Sequence, residues 1–386
     1  MWFRYNRGLL GKTLFLLVIL LMVGLTSLGC VRGLQSVGWS GGAVSGGTLF
    51  VGSKEGRLVA VNIADESRQW SEPLKASTPA GGFGCAPAAG GGGCATAPAG
   101  VAIYGTPAAS GDLVYIGGYN GKIYAFHSSS LATRWVYPRE GNLEPIVGGL
   151  VVAQGKVYFG CSDGKVYALD AATGDKQWEF ETGDKIWSTP AIDGDTLFIG
   201  SFDNKLYALS ATDGSQRWEF KTGGAIVSTA LVQDNTVYIG SFDRYLYAVN
   251  AIDGSLRWKF MGENWFWTKP IAYDNTVYAG CLDGKVYALQ ASSGGKVAEF
   301  TLESPVSSSP VMVDSSIIFA SQKGVIYSLD TGSSELKRLI DIEEAVYGPL
   351  CASEGVVYIH TQNLTLHRVN ANTGAILTPI SLKSKE

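Results

Sequence analysis

The chain has 386 residues, of which 50 are glycine and 11% are aromatic, and its formal net charge is −4. A mildly acidic chain without a basic run lacks the electrostatic footprint of a nucleic-acid-binding protein, so we predict no nucleic-acid partner. Abundant glycine and aromatic residues are typical of many short strands joined by tight turns. We therefore expect an all-β protein.

The N-terminus has the pattern of an export signal over residues 1–29. Three basic residues precede an apolar run from Leu14 to Leu25, and the segment ends in Gly29-Cys30. This ending predicts a bacterial lipobox, in which the Cys30 thiol receives a lipid and residues 30–38 form a tether. The protein would then be held by lipid on the periplasmic or extracellular side of a membrane. An ordinary cleaved signal and an uncleaved anchor are the alternatives, although the apolar run is short for a bilayer span.

A Gly/Ala/Pro-rich insertion follows at residues 71–103 and contains Cys85 and Cys94. Because these two cysteines lie nine residues apart in an exported chain, we predict a local disulfide between them. The remaining cysteines are predicted to be small buried apolar residues: Cys161, Cys281 and Cys351. None forms a CxxC or CxxCH pattern, so neither a zinc ribbon nor a c-type haem is indicated.

A repeat of about forty residues begins near position 39 and continues to the C-terminal region. Its eight units begin at Trp39, Tyr104, Val147, Trp187, Val227, Trp267, Ser307 and Tyr347. Within a unit such as Trp187 to Lys221, four short strand-forming runs are separated by Asp-Gly or Asp-Asn turns. This pattern predicts an eight-bladed β-propeller of four-stranded antiparallel blades over residues 39–383.

One tryptophan in each of the early units is predicted to pack on a neighbouring blade, because a single blade cannot cover its own apolar faces. These blade-docking residues are Trp70, Trp135, Trp178, Trp218 and Trp258. In the best-formed units a glycine stands four residues earlier, where it is expected to let the turn tighten.

The runs YALDAATGDKQWEF, YALSATDGSQRWEF and YAVNAIDGSLRWKF resemble the tryptophan-docking motif of PQQ-type propeller repeats, a blade type similar to that of WD40 proteins. With the export signal and Gly29-Cys30 in front, the chain resembles the BamB-like lipoproteins of outer-membrane protein assembly. The resemblance implies a non-catalytic, monomeric envelope lipoprotein that serves as a scaffold for other proteins. Its partners would be envelope proteins such as the β-barrel assembly machinery or its clients.

A PQQ-dependent dehydrogenase is the less favoured alternative. Enzymes with this repeat hold the quinone and a calcium ion on the propeller axis, and they carry a disulfide between adjacent cysteines. This chain has no Cys-Cys pair and, outside residues 71–103, almost no spare residues to build a pocket. We therefore predict no cofactor, no metal and no catalysis.

Two other sets of polar residues are interpreted as structural. The histidines are too few and too scattered to indicate a triad or a metal site: His127, His360 and His367. Four aspartates recur at one phase of the repeat, and their separate hairpins favour turn formation over a calcium ring: Asp163, Asp203, Asp243 and Asp283.

The first residue of the repeat supplies the candidate binding site, because the opening strands of a propeller line its central channel. The aromatic residues predicted to ring one mouth are Trp39, Tyr104, Trp187, Trp267 and Tyr347, with Trp265 beside them. An aromatic, concave surface with small polar neighbours is typical of a site for a peptide or a small ligand. The alternative is that these side chains only fill the gaps between inner strands. A receptor for a small ligand or a glycan at this mouth is the second candidate function.

Overall fold

A computed structural model describes residues 40–53, 55–75, 101–361 and 363–384. These residues form 32 strands in eight four-stranded antiparallel sheets, and each sheet follows chain order. The predicted eight-bladed β-propeller is therefore confirmed. Four residues singled out by the sequence lie outside the described part of the chain: Cys30, Trp39, Cys85 and Cys94.

The sheets are numbered as blades 1 to 8, each built from four consecutive strands. Blades 1 to 4 comprise β1 Gly42–Ser45, β2 Thr48–Gly52, β3 Leu58–Asn62, β4 Arg68–Trp70; β5 Ala108–Ser110, β6 Leu113–Gly118, β7 Lys122–His127, β8 Thr133–Tyr137; β9 Val151–Ala153, β10 Lys156–Gly160, β11 Lys165–Asp170, β12 Lys176–Glu181; β13 Ala191–Asp193, β14 Thr196–Gly200, β15 Lys205–Ser210 and β16 Gln216–Lys221. Blades 5 to 8 comprise β17 Leu231–Gln233, β18 Thr236–Gly240, β19 Tyr245–Asn250, β20 Leu256–Met261; β21 Ile271–Tyr273, β22 Thr276–Gly280, β23 Lys285–Gln290, β24 Lys296–Thr301; β25 Val311–Val313, β26 Ser316–Ala320, β27 Val325–Asp330, β28 Leu336–Asp341; β29 Cys351–Ser353, β30 Val356–His360, β31 Thr365–Asn370 and β32 Ile376–Ser381.

Blade 4 shows how the local sequence forms the turns. Asn204 has a φ of 71° in the turn between β14 and β15, a conformation that asparagine tolerates better than most residues. The Asp203 carboxylate accepts a hydrogen bond from the Lys205 backbone N–H at 3.0 Å and closes the same turn. The following strand then places four apolar side chains in the interior, with Leu206 and Leu209 fully buried.

The core lies between the blades. Tyr158 and Val166 of blade 3 pack against Ile199 and Tyr207 of blade 4, and equivalent clusters follow around the ring. Apolar burial is therefore distributed over the interfaces between neighbouring sheets, and no blade has an interior of its own.

Each docking tryptophan from blade 2 to blade 5 lies flat on the glycine of the following blade. The Trp218 indole N–H donates to the Ala251 carbonyl at 3.1 Å, and a Cβ added to Gly254 would lie 2.8 Å from the Trp218 ring. Gly254 has a φ of 74°, so this position also favours glycine for its backbone conformation. The glycine thus both forms its own turn and provides a flat surface for the preceding tryptophan.

The residue at this turn position differs in two blades that receive no tryptophan from the preceding blade, whereas blade 8 keeps Gly374 although blade 7 has Arg338 at the tryptophan position. Blade 6 has Ala298 in place of the tryptophan, and blade 7 has Ser334 in place of the glycine, with a φ of 57°. Blade 2 has Leu131 there, with a φ of 51° and a buried side chain. The left-handed backbone conformation is thus retained at this turn in blades that lack the glycine.

Trp70 differs from the other docking residues in the direction it faces. In blades 2 to 5 a β-bulge sets the tryptophan opposite an alanine, as in the pair Ala168 and Trp178. Blade 1 has no such bulge, so Trp70 lies opposite Val59 and its side chain faces blade 8. Its indole N–H donates to the Leu382 carbonyl at 3.1 Å. Trp70 therefore contacts blade 8, the blade before its own in the ring, whereas the others contact the blade after their own.

The ring is closed by side chains from blades 8 and 1. Arg368, with 8% of its side chain exposed, forms an ion pair with Glu66 at 2.7 Å. His360 is buried, and its Nδ1–H donates to the Ser40 carbonyl at 2.9 Å, while its Nε2 has no hydrogen-bond partner among the described residues. Burial lowers the pKa of His360 because the charged imidazolium would lose its hydration.

We predict that Trp218→Ala lowers the free energy of unfolding by about 3–5 kcal/mol, since it removes a large buried ring from between two blades. Gly254→Ala should also destabilise, because the added Cβ displaces the same ring. Urea-induced unfolding measures both effects, with the exposed neighbour Gln216→Ala as a control that changes stability by less than about 0.5 kcal/mol. Wild-type stability in Trp218→Ala would contradict the docking role.

We also predict that acid destabilises the interface between blades 8 and 1, where His360 is buried. The unfolded chain binds a proton at His360 near the ordinary histidine pKa of about 6.5, whereas the folded chain resists protonation. The contribution of His360 to the free energy of unfolding is therefore fully present above about pH 6.5. Below that pH it falls by up to about 1.4 kcal/mol per pH unit, until the lowered pKa of the folded state is reached.

The measurement is the melting temperature between pH 7.5 and 5.5. His360→Gln should flatten this dependence, whereas His127→Gln, at a half-buried position in blade 2, should retain it. An unchanged slope in His360→Gln would contradict the assignment.

Candidate functional site

The aromatic residues predicted for the mouth line one funnel on the propeller axis. Tyr104, Trp187, Trp267 and Tyr347 contribute to it, each from the chain entering the first strand of its blade. The funnel has an empty volume of about 820 Å3, including its open upper part. These four residues thus share a surface that a ligand can reach.

A second tier of polar side chains lies two residues further along five of the entering segments. It consists of Thr106, Thr189, Thr229, Lys269 and Ser309. The Thr189 hydroxyl accepts the Gly149 N–H at 2.8 Å, and the Ser309 hydroxyl accepts the Lys269 N–H at 3.0 Å. The funnel therefore combines an aromatic rim with a hydroxyl-rich tier.

Among the residues that the structure describes, Lys269 is the one charged residue that lines the funnel. Its side chain is open to the channel, yet the enclosing walls desolvate the ammonium group and lower its pKa. In the same funnel, burial raises the pKa of Tyr104 to about 12, so its phenol is neutral at physiological pH.

An aromatic cluster extends from the funnel rim across the mouth end of blades 4 to 6. Trp187 meets Phe202 edge-on at 4.8 Å between ring centroids. Phe242 continues the cluster 6.3 Å from Phe202, and it stacks on Trp265 at 4.4 Å and on Trp267 at 5.5 Å. All five rings are half-buried. We call these five residues the mouth cluster.

The structure therefore places the predicted ring residues differently, and Tyr104 and Tyr347 belong to the funnel alone. Trp187 and Trp267 belong to both the funnel and the mouth cluster, whereas Trp265 lies outside the funnel lining. Sequence reasoning missed Phe202, Phe242 and Lys269. Their signal was a large or charged side chain at repeat positions that are mostly small or polar in other blades.

The recurring aspartates act within the turns. Asp203 accepts hydrogen bonds from the Tyr207 hydroxyl at 2.6 Å and the Gly183 N–H at 2.7 Å. Asp243 makes the same pair of contacts with Tyr247 and Gly223. Within the described ranges, no group of three or more His, Cys, Asp or Glu residues is placed to hold a metal ion.

The remaining singled-out residues also occupy packing positions. Cys161 and Cys281 are buried, and burial raises the pKa of both thiols, while Cys351 is half-buried. His367 lies 3.4 Å from a carboxylate oxygen of Glu344, which also accepts a hydrogen bond from Thr361. These groups lie apart from the funnel lining.

Four-stranded blades joined by tryptophan-on-glycine docking around an axial funnel define a β-propeller of the PQQ-repeat class. Residues 148–385 match the family model described as "Beta-alanine-activating enzyme, beta-propeller", and residues 31–185 match the one described as "Outer membrane protein assembly factor BamB". The chain belongs to the β-propeller family of the first model, and it is a PQQ-type, BamB-like propeller. The first description names an enzyme and the second an assembly factor, so the matches alone assign neither activity to this chain.

Solved structures agree on the fold. BamB from Moraxella catarrhalis is 19% identical, with a TM-score of 0.65 over 86% of this chain and 93% of that chain. The computationally designed Ika8 protein is 16% identical, with a TM-score of 0.70 over 88% of this chain and 97% of that chain. No curated protein matches the chain. Across the described ranges no helix is long and apolar enough to cross a membrane.

Proposed function

We propose that this chain is a non-catalytic, monomeric envelope lipoprotein whose propeller binds other proteins during outer-membrane protein assembly. The BamB-like character of the chain supports an envelope role. The export pattern at residues 1–29 and Gly29-Cys30 supports a lipid tether on the periplasmic or extracellular side.

The observation that carries the proposal is the mouth cluster. Five half-buried aromatic rings in contact form a continuous apolar surface, which is typical of a protein-binding patch. Trp187 is held in place by its indole N–H, which donates to the Ser162 hydroxyl of blade 3 at 3.2 Å. A pre-organised aromatic surface loses little side-chain entropy on binding, so it suits an apolar, extended segment of a partner.

The polar surroundings of the cluster favour a partner that is not purely apolar. Lys185 lies 5.2 Å from the centroid of the Trp187 ring and 4.7 Å from that of the Phe202 ring. A cation over these rings keeps the cluster partly hydrated in the unbound protein. The partner segment would then replace water at the rim while its apolar side chains contact the rings.

We predict that the mouth cluster is the contact surface in the cell. A photo-reactive amino acid at position 242 should crosslink to a component of the β-barrel assembly machinery or to an outer-membrane client, as identified by mass spectrometry. Position 252 is the matched control, because Ile252 is exposed to 72% at the opposite end of blade 5. Equal crosslinking from both positions, or crosslinks only to unrelated proteins, would contradict the proposal.

The double variant Trp187→Ser, Trp267→Ser separates binding from packing. It should lose the crosslink from position 242 and keep a cooperative thermal transition. If the variant fails to fold, the rings serve mainly to fill gaps between inner strands, and Phe202→Ser, which leaves position 242 available for the crosslinker, then provides the milder test of binding.

We further predict that Cys30→Ser moves the protein from the membrane fraction to the soluble fraction and abolishes labelling by a radioactive fatty acid. An unlabelled wild-type protein in the soluble fraction would indicate an ordinary cleaved signal. A variant that stays in the membrane would indicate an uncleaved anchor. Either result would overturn the lipid tether.

A further inference from the structure

The hydroxyl tier of the funnel contains a cation without a counter-ion. Within the described ranges Lys269 forms no ion pair, and its side chain is open to the channel. An anion that enters the funnel therefore meets a positive charge that no protein carboxylate neutralises. The funnel thus carries a single, defined position for one negative charge.

The hydroxyls beside Lys269 are arranged as hydrogen-bond donors. Thr189 and Ser309 each accept a backbone N–H, which occupies an oxygen lone pair and holds the side chain in place. Each still has its own O–H hydrogen for an oxygen of a ligand. Thr106 and Thr229 add two more hydroxyls at the same level. This tier fits a molecule with several hydroxyl groups better than a purely apolar one.

The rim above this tier is aromatic. Trp187 and Trp267 line the funnel together with Tyr104 and Tyr347. Flat aromatic rings pack well against the C–H face of a pyranose, while the hydroxyls at the edge of the sugar point elsewhere. The three features together match the three parts of one ligand: an apolar ring face, hydroxyls at the ring edge, and one anionic group.

We propose that the funnel binds an acidic sugar, with its carboxylate beside Lys269, its hydroxyls on the Thr and Ser tier, and its ring against the tryptophans. The ligand class is a uronic acid, either free or at the end of a glycan. This site goes beyond the protein-binding role, since Lys269, Thr189 and Ser309 lie in the funnel and outside the mouth cluster.

The test is calorimetric titration of the full propeller with glucuronic and galacturonic acid, with glucose as the neutral analogue and benzoate as an aromatic carboxylate. At least one uronic acid should bind about tenfold or more tightly than glucose, as expected for one charge-assisted contact. Lys269→Met should remove this preference. The control is Lys323→Met, an exposed lysine at the same end of the propeller that does not line the funnel, and it should keep the preference.

Several outcomes would overturn the proposal: no binding of either uronic acid, equal binding of glucose, binding of benzoate alone, or an unchanged preference in Lys269→Met. Melting curves of each variant show whether a loss of binding reflects a loss of fold. Crosslinking from position 242 should be unaffected by Lys269→Met, so failure of the sugar site and failure of the protein-binding role are distinguishable.

Discussion

The packing of a tryptophan on the glycine of the next blade is the contact on which the rest of this propeller depends. A four-stranded blade exposes two apolar faces, and it becomes stable only when both are covered by neighbours. Trp178 on Gly214 and Trp218 on Gly254 provide that cover, and each indole N–H also satisfies a backbone carbonyl of the following blade. The contact therefore joins the fourth strand of one blade to the turn before the fourth strand of the next.

The ring of blades closes in the part of the chain that lacks the tryptophan-on-glycine contact. Blades 6 to 8 lack the tryptophan, and blade 1 has it facing the other way, so different chemistry joins the last blade to the first. His360 stands at a repeat position that is glycine in most blades, and its ring reaches the backbone of blade 1. The Arg368–Glu66 ion pair adds a charged contact in the same interface. Because the interface between blades 8 and 1 differs from the others, it favours one arrangement in which the eight similar blades close into a ring.

The mouth shows how much of the site the sequence could predict. The repeat phase identified Tyr104, Trp187, Trp267 and Tyr347, because residues at equal positions of the blades lie at equal heights along the channel. It did not identify Phe202 and Phe242, which come from the turn between the second and third strands. Their contact with the tryptophans depends on how that turn folds back over the entering segment. Lys269 was missed for a related reason, since a single lysine in a repeat looks like ordinary surface variation until its surroundings are known.

The sequence by itself determined the class of fold, the number of blades and the residues that hold them together. These follow from periodicity, since a forty-residue period with turn signals leaves few alternatives to a closed ring. The tertiary structure decided which periodic positions meet: that Trp70 faces the preceding blade, that Leu131 and Ser334 keep the left-handed turn conformation without glycine, and that Lys269 shares a funnel with four aromatic residues. The physical reason is that a repeat specifies contacts within a blade, whereas contacts between blades depend on bulges, facing directions and ring closure.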